Sequence, residues 1–165
     1  MRAELLSNAN STPKHDIQSL PYLSAVVKEA LRISMANPTR LPHVVPSPGW
    51  TFKSTQFPAG SLVGCSAYEL HLDERIFPNP LAFQPERWLE RSATAEMARD
   101  WFAFGAGPRA CIARNLATVE LFITTERVVE SDVLRGAIVC QNEVEIYEWF
   151  NSKVKGEKME LVWPK

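Results

Sequence analysis

Eight of the twelve prolines fall between Pro38 and Pro85, and that clustering divides the chain more sharply than any other feature. Each proline fixes φ near about −65° and removes a backbone donor, so this stretch can hold neither a long helix nor a central strand. Helices must therefore lie on either side of a middle made of turns and short strands. Upstream, Met1 to Leu6 reads as a helix closed by the polar stretch Ser7 to Pro13. Asp16 or Ser19 is placed to cap the next helix, with Pro21 in its first turn, where a missing N–H costs little. That helix is predicted to run to about Ser34 and to stop before Asn37-Pro38.

In the middle, Trp50–Lys53 and Ser61–Gly64 are expected to form two short strands around a turn containing Phe57-Pro58-Ala59-Gly60. Ile76 to Trp88 reads as irregular. A glycine-bearing loop, Phe104 to Arg109, leads into a helix expected over Ile112 to Glu130. Its residues Ile112, Leu116, Val119 and Ile123 recur at the spacing of one buried face. The remainder is expected to be strand and turn, with a terminal pair formed by residues 144–150 and 158–163.

Composition removes several classes of function. The chain is 45% hydrophobic and 22% charged, an ordinary globular balance. A net charge of −1 gives no reason to expect nucleic acid, which wants a strongly basic face. No apolar run reaches the roughly eighteen residues of a membrane helix. Three separated cysteines, Cys65, Cys111 and Cys140, form no CxxC pair. Such a count suits neither a disulfide scaffold nor structural zinc, and fits a reducing compartment. The open question is whether one of them is reactive or binds a metal.

Three short motifs bear on that question. Glu29 and Arg32 stand at i and i+3, hence on one helix face. Projected at about 100° per residue they share an arc with Tyr22, Ala25 and Ala36, whereas the polar arc belongs to Ser24 and Lys28. The pair is therefore expected to be buried, although a helix-surface pair would have the same spacing. Arg87, in Pro85-Glu86-Arg87-Trp88, is a candidate third member that bonds Glu29 from the other side. The third motif is FGAGPRACIA, residues 104–113. Gly105 and Gly107 permit backbone conformations that a side chain forbids. Cys111 stands just before a helix start, a place that favours a negative sulfur able to bind a metal or to act as a nucleophile. A nucleophile would need a histidine brought close by the fold, from His15, His43 or His71. Arg109 is a fixed cation suited to a carboxylate such as a haem propionate. Cys65 and Cys140 sit in apolar, strand-like contexts and are expected to be packing residues.

In this order, ExxR, PERW and FxxGxRxC resemble the signature set of the cytochrome P-450 superfamily of haem-thiolate monooxygenases. Phe104, Gly107, Arg109 and Cys111 match, and Ala113 takes a position that is usually glycine. The connecting segments SLPYLSAVVKEALR, RLPHVVP, FPAGSLV and SAYELHLDERIFPNPLAFQPERWL agree as well, over about residues 17–128. The likeness is to the eukaryotic microsomal branch.

The resemblance implies a mainly helical α+β fold, the C-terminal haem-binding part of a single P-450 domain over residues 1–165. It implies haem as cofactor, with Cys111 as the axial iron ligand, Phe104 packed near the ligand sulfur, and Gly105, Gly107 and Ala113 as further cofactor-binding residues of the loop. Arg109 would meet a haem propionate. So would His43, which stands where the family often has arginine and whose charge would depend on pH. Glu29, Arg32 and Arg87 would form a structural network. The family inserts one atom of O₂ into a small organic substrate, with electrons from an NADPH-dependent cytochrome reductase, usually at the cytosolic face of the endoplasmic reticulum. The membrane anchor, the distal helices and the oxygen-activation helix of such enzymes have no counterpart in this sequence. The 165 residues are accordingly expected to be inactive alone: a fragment, a truncated gene model, or a non-catalytic haem-binding or interaction remnant of such an enzyme.

Overall fold

The computed structural model describes residues 1–11, 16–141 and 144–164. Pro13 and His15 lie outside them. Helix α1 spans Arg2–Ala9, α2 Pro21–Ile33, α3 Ala67–His71, α4 Ala95–Asp100 and α5 Arg114–Ser131. Among the described residues the strands come in four antiparallel pairs of two. β1 (His43–Val44) pairs with β4 (Leu62–Val63), and β2 (Trp50–Phe52) with β3 (Thr55–Phe57). β5 (Ile138–Val139) pairs with β8 (Leu161–Val162), and β6 (Ile146–Tyr147) with β7 (Lys153–Val154). The composition is α+β, with helices on both sides of the proline-rich middle. Among the described residues no helix is long and apolar enough to cross a membrane.

Packing explains where the helices lie. Leu20, Leu23 and Val27 stand on one side of α2 and meet Leu5 of α1 and Phe122 of α5 in a buried cluster, flanked by Met1, Ile17, Leu31 and Val129. Each fully buried aliphatic or aromatic side chain stabilises by roughly 1.5–3 kcal/mol relative to exposure. Asp16 does cap, but it caps the short 3₁₀ turn Ile17–Ser19, accepting from Gln18 N–H. The cap of α2 comes from elsewhere: the Glu4 carboxylate of α1 accepts from Tyr22 N–H at 2.8 Å and Leu23 N–H at 2.9 Å. Proline at the first helical position leaves these two donors as the ones needing partners. Glu4→Ala is therefore expected to lower stability by roughly 1–2 kcal/mol, the range for a lost N-cap, in urea unfolding. Glu4→Gln, which keeps one acceptor, should lie between.

Four expectations need correction. The α5 face predicted to be buried is open, with Ile112 102%, Leu116 61%, Val119 39% and Ile123 45% exposed. The helix carries apolar residues on two sides, and it is the side of Phe122 and Val129 that packs on α1 and α2. The partner of Trp50–Phe52 is Thr55–Phe57, because the chain reverses at once through Lys53, whose φ is +53°. The Pro58–Gly60 turn instead returns the chain so that Leu62–Val63 meets His43–Val44. The two terminal segments do not pair with each other, since 146–147 closes locally on 153–154 and leaves 161–162 to reach back to 138–139. Cys65 and Cys140 are exposed rather than packed, each lying just past a strand end.

Candidate haem-thiolate site

The ExxR helix supplies a charged centre with no exposure: Glu29 and Arg32 are both 0% accessible, and Arg87 is 6%. Burial of a lone ion would cost several kcal/mol, so every charge must find partners. Glu29 does so fivefold. Arg32 donates from Nε to Oε2 (3.0 Å) and from Nη2 to Oε1 (2.9 Å), and Arg87 donates from Nε to Oε1 at 3.1 Å. The Gln84 backbone N–H reaches Oε1 at 3.0 Å, and the Trp88 indole N–H reaches Oε2 at 2.9 Å. Burial alone would raise the Glu29 carboxyl. The bonds from Arg32, Gln84 and Trp88, with the Arg32 charge, outweigh it and hold the group below its ordinary value.

The remaining guanidinium donors turn to carbonyls of the irregular middle. Arg32 reaches the oxygens of His71 (2.8 Å) and Pro80 (2.7 Å), and Arg87 that of Pro78 (2.9 Å). Phe77, fully buried, lies under the Arg32 guanidinium at 5.2 Å and against His71 and Trp88. Among the described residues no buried side-chain nitrogen or oxygen lacks a partner. The network therefore fixes the segment from Pro78 to Trp88 on α2, which the lack of regular structure there could not do.

The cysteine loop follows α4. Gly105 and Gly107 both take φ +69°, a left-handed conformation costly to any side chain, which makes the loop turn back on itself. Cys111 N–H then closes on the Phe104 carbonyl at 2.8 Å, and the Cys111 thiol faces solvent. Ala113 is the residue before α5, which starts at Arg114, so a turn separates the cysteine from the helix proper. Phe104 lies between Trp101, edge-on at 5.9 Å, and the Arg114 guanidinium at 6.0 Å. Arg109 is exposed.

His43 stands on β1, its Nδ1 2.9 Å from the Leu41 carbonyl, so that contact does not engage Nε2. Its segment borders the cysteine loop, because Leu41 Cδ1 lies 3.8 Å from where a Cβ on Gly105 would be. The structure thus brings Glu29, Arg32 and Arg87 together in one network, and Phe104, Gly105, Gly107, Arg109, Cys111 and Ala113 onto one loop. No described histidine bonds the Cys111 sulfur, and no cluster of metal-binding side chains exists among the described residues. Although Cys65 is exposed, partial desolvation of its sulfur, with the Glu69 carboxylate second, raises its thiol above the ordinary value.

An iron porphyrin is a flat apolar disc with a soft-ligand demand at its centre and carboxylates at its edge. The residues present fit it: an exposed thiol, the exposed apolar Ile112 and Leu116 beside it, and the exposed cation Arg109 on the same loop. Two participants have no role assigned from the sequence, although Trp88 ends the Pro85-Glu86-Arg87-Trp88 motif. Trp88 acts through its indole N–H, and His71 through both ring nitrogens, each toward groups distant in sequence.

Comparison with known proteins matches residues 2–131 to the family described as Cytochrome P450. The monooxygenase mfmF of Annulohypoxylon moriforme is 43% identical over 169 residues, covering 98% of this chain and 34% of that protein. BOT1 of Botryotinia fuckeliana is 44% identical over 66% of this chain and 21% of its own length. The protein named inactive cytochrome P450 monooxygenase cloA, of Claviceps fusiformis, is 46% identical over 68% of this chain and 22% of its own length. The chain therefore spans about a third or less of the curated relatives it matches. On motif order, loop geometry and these likenesses, it belongs to the cytochrome P450 family.

Proposed function

We propose that these residues form the proximal, thiolate-bearing side of a haem site in a cytochrome P450 monooxygenase. The observation that carries the reading is the Cys111 thiol, exposed on a loop whose two left-handed glycines turn it outward. When bound, haem would supply the oxygen chemistry by which one atom of O₂ enters a small organic substrate. The chain's part is to hold it. Cys111 would hold the iron through its sulfur, Phe104 would pack near that sulfur once haem is bound, and Gly105, Gly107 and Ala113 would leave room for the ring. Arg109 and His43 would be the propionate partners, Arg109 through its planar guanidinium and His43 through a ring nitrogen. Glu29, Arg32 and Arg87 would fix the segment from Pro78 to Trp88 on α2. Electrons would come from an NADPH-dependent cytochrome reductase, and a relative-length enzyme would work at the cytosolic face of the endoplasmic reticulum.

A non-catalytic haem-binding role is the second reading. It is favoured by the likeness to a protein that is itself named inactive.

The ligand assignment is tested by haem titration of the chain and of three single variants. Cys65→Ser and Cys140→Ser are expected to keep a thiolate-type low-spin ferric signal in electron paramagnetic resonance, and Cys111→Ser to lose it. Retention of that signal in Cys111→Ser would refute the assignment.

A further inference from the structure

His71 is 1% exposed and uses both ring nitrogens on backbone groups of two different elements. The Phe102 N–H donates to Nε2 at 2.8 Å, so Nε2 carries the lone pair. Nδ1 then carries the hydrogen and donates to the Arg32 carbonyl at 3.0 Å. That carbonyl belongs to the last turn of α2, where helix geometry leaves oxygens without intrahelical donors. The tie is doubled, because Arg32 Nη1 donates back to the His71 carbonyl at 2.8 Å. Phe77, edge-on at 6.2 Å, holds the ring plane. Beyond Phe102 the line continues: its carbonyl accepts from Gly105 N–H at 3.0 Å, and the next turn closes Cys111 on Phe104.

We propose that His71 is a positioning residue for the Cys111 ligand: as a neutral Nδ1–H imidazole it transmits the placement of the Glu29–Arg32–Arg87 network to the start of the cysteine loop. The inference rests on the proposed ligation of haem by Cys111. A second anchor, the Trp101 indole N–H on the Lys28 carbonyl at 3.2 Å, fixes the chain just before the loop but not the loop's own turn. Only the His71 bond acts on a residue whose carbonyl closes the first turn. An imidazole suits the task because it offers a donor and an acceptor at opposite edges of one rigid ring, without adding charge beside two buried arginines.

Amide side chains separate the two edges. In H71N the amide nitrogen replaces Nδ1 and can still serve the Arg32 carbonyl, but the Phe102 N–H loses its acceptor. In H71Q the amide oxygen takes the place of Nε2 and keeps it. The haem-loaded chain and both variants are compared by their ferrous carbon-monoxide spectra, which separate thiolate-ligated from other haem, with melting temperature as control. H71N is expected to shift the ratio of thiolate to non-thiolate haem about tenfold, the effect of orphaning one half-buried N–H. H71Q is expected to stay near the parent ratio. A second measurement needs no haem: in a Cys65→Ser, Cys140→Ser background, alkylation of Cys111 should change rate in H71N and not in H71Q. If H71N does not fold, Phe102→Pro deletes the same N–H from the loop side and should produce the same shift. Equal ratios and equal alkylation rates in H71N and H71Q, with only melting temperature altered, would make His71 a packing residue. If Cys111→Ser itself keeps the thiolate spectrum, the ligand assignment has failed and this inference with it. If Cys111→Ser loses it while H71N does not, this inference alone falls.

Discussion

Glu29→Ala is expected to abolish stable folding, with a loss of roughly 3–5 kcal/mol, the range for removing one partner of a buried charge pair. That is a large part of the roughly 5–15 kcal/mol that holds a domain together. The reason lies in the count of orphans. Without the carboxylate, two guanidinium groups, one indole N–H and one backbone N–H lose an acceptor at once. Two buried cations would then face each other without a counter-charge. Glu29→Gln should do less damage, because one amide oxygen still accepts, but it leaves the arginines uncompensated. Arg87→Lys should be intermediate, as lysine cannot reproduce the planar fork. Urea unfolding by circular dichroism and haem uptake check this. A Glu29→Ala chain with parental stability and haem uptake would mean that the buried network is dispensable.

Stability should also fall as pH drops from 6.5, and His71 is the cause. Burial, first of all, and the neighbouring Arg32 charge push its imidazole from the ordinary 6.5 down to about 4, against the Arg32 carbonyl and Glu29, which act the other way. A histidine whose folded value is lowered favours the native state while it is neutral. The contribution is therefore fully present above 6.5 and is lost progressively as pH falls toward about 4, where the folded form at last takes the proton. The full difference is on the order of 3 kcal/mol, at about 1.4 kcal/mol per unit. Glu29, held below its ordinary 4.5, adds a loss of the same sign at lower pH. The window from 6.5 to about 5 lies above the carboxylates, so the slope there isolates His71. Urea midpoints across that window should fall in the parent and stay flatter in H71Q. Equal slopes in both would remove His71 as the source.

Much of this arrangement was legible because it is local in sequence. The i, i+3 spacing of Glu29 and Arg32, set against the polar arc of Ser24 and Lys28, points to a buried pair, and both residues are buried. The glycines and the cysteine lie within one short run, and the turn they make follows from residue type. What could not be read depends on partners far along the chain. α5 carries apolar residues on two faces, and only the placement of α1 and α2 selects Phe122 over Leu116. The turn at Lys53-Ser54 contains neither glycine nor proline, so the stronger signal at Pro58–Gly60 drew the hairpin to the wrong strand. Glu4 as a cap, Trp88 as a donor to Glu29 and His71 as a bridge all act on groups that no spacing rule connects.

The most direct test of the whole account is the ferrous carbon-monoxide difference spectrum of the haem-loaded chain near neutral pH. Ligation by a cysteine thiolate shifts the main absorption band of the carbon-monoxide complex far to longer wavelength than a histidine or thiol ligand does. A thiolate-type band is expected, removed by Cys111→Ser and retained in Cys65→Ser and Cys140→Ser. Haem bound with a histidine-type or water-type spectrum in the parent chain would contradict it.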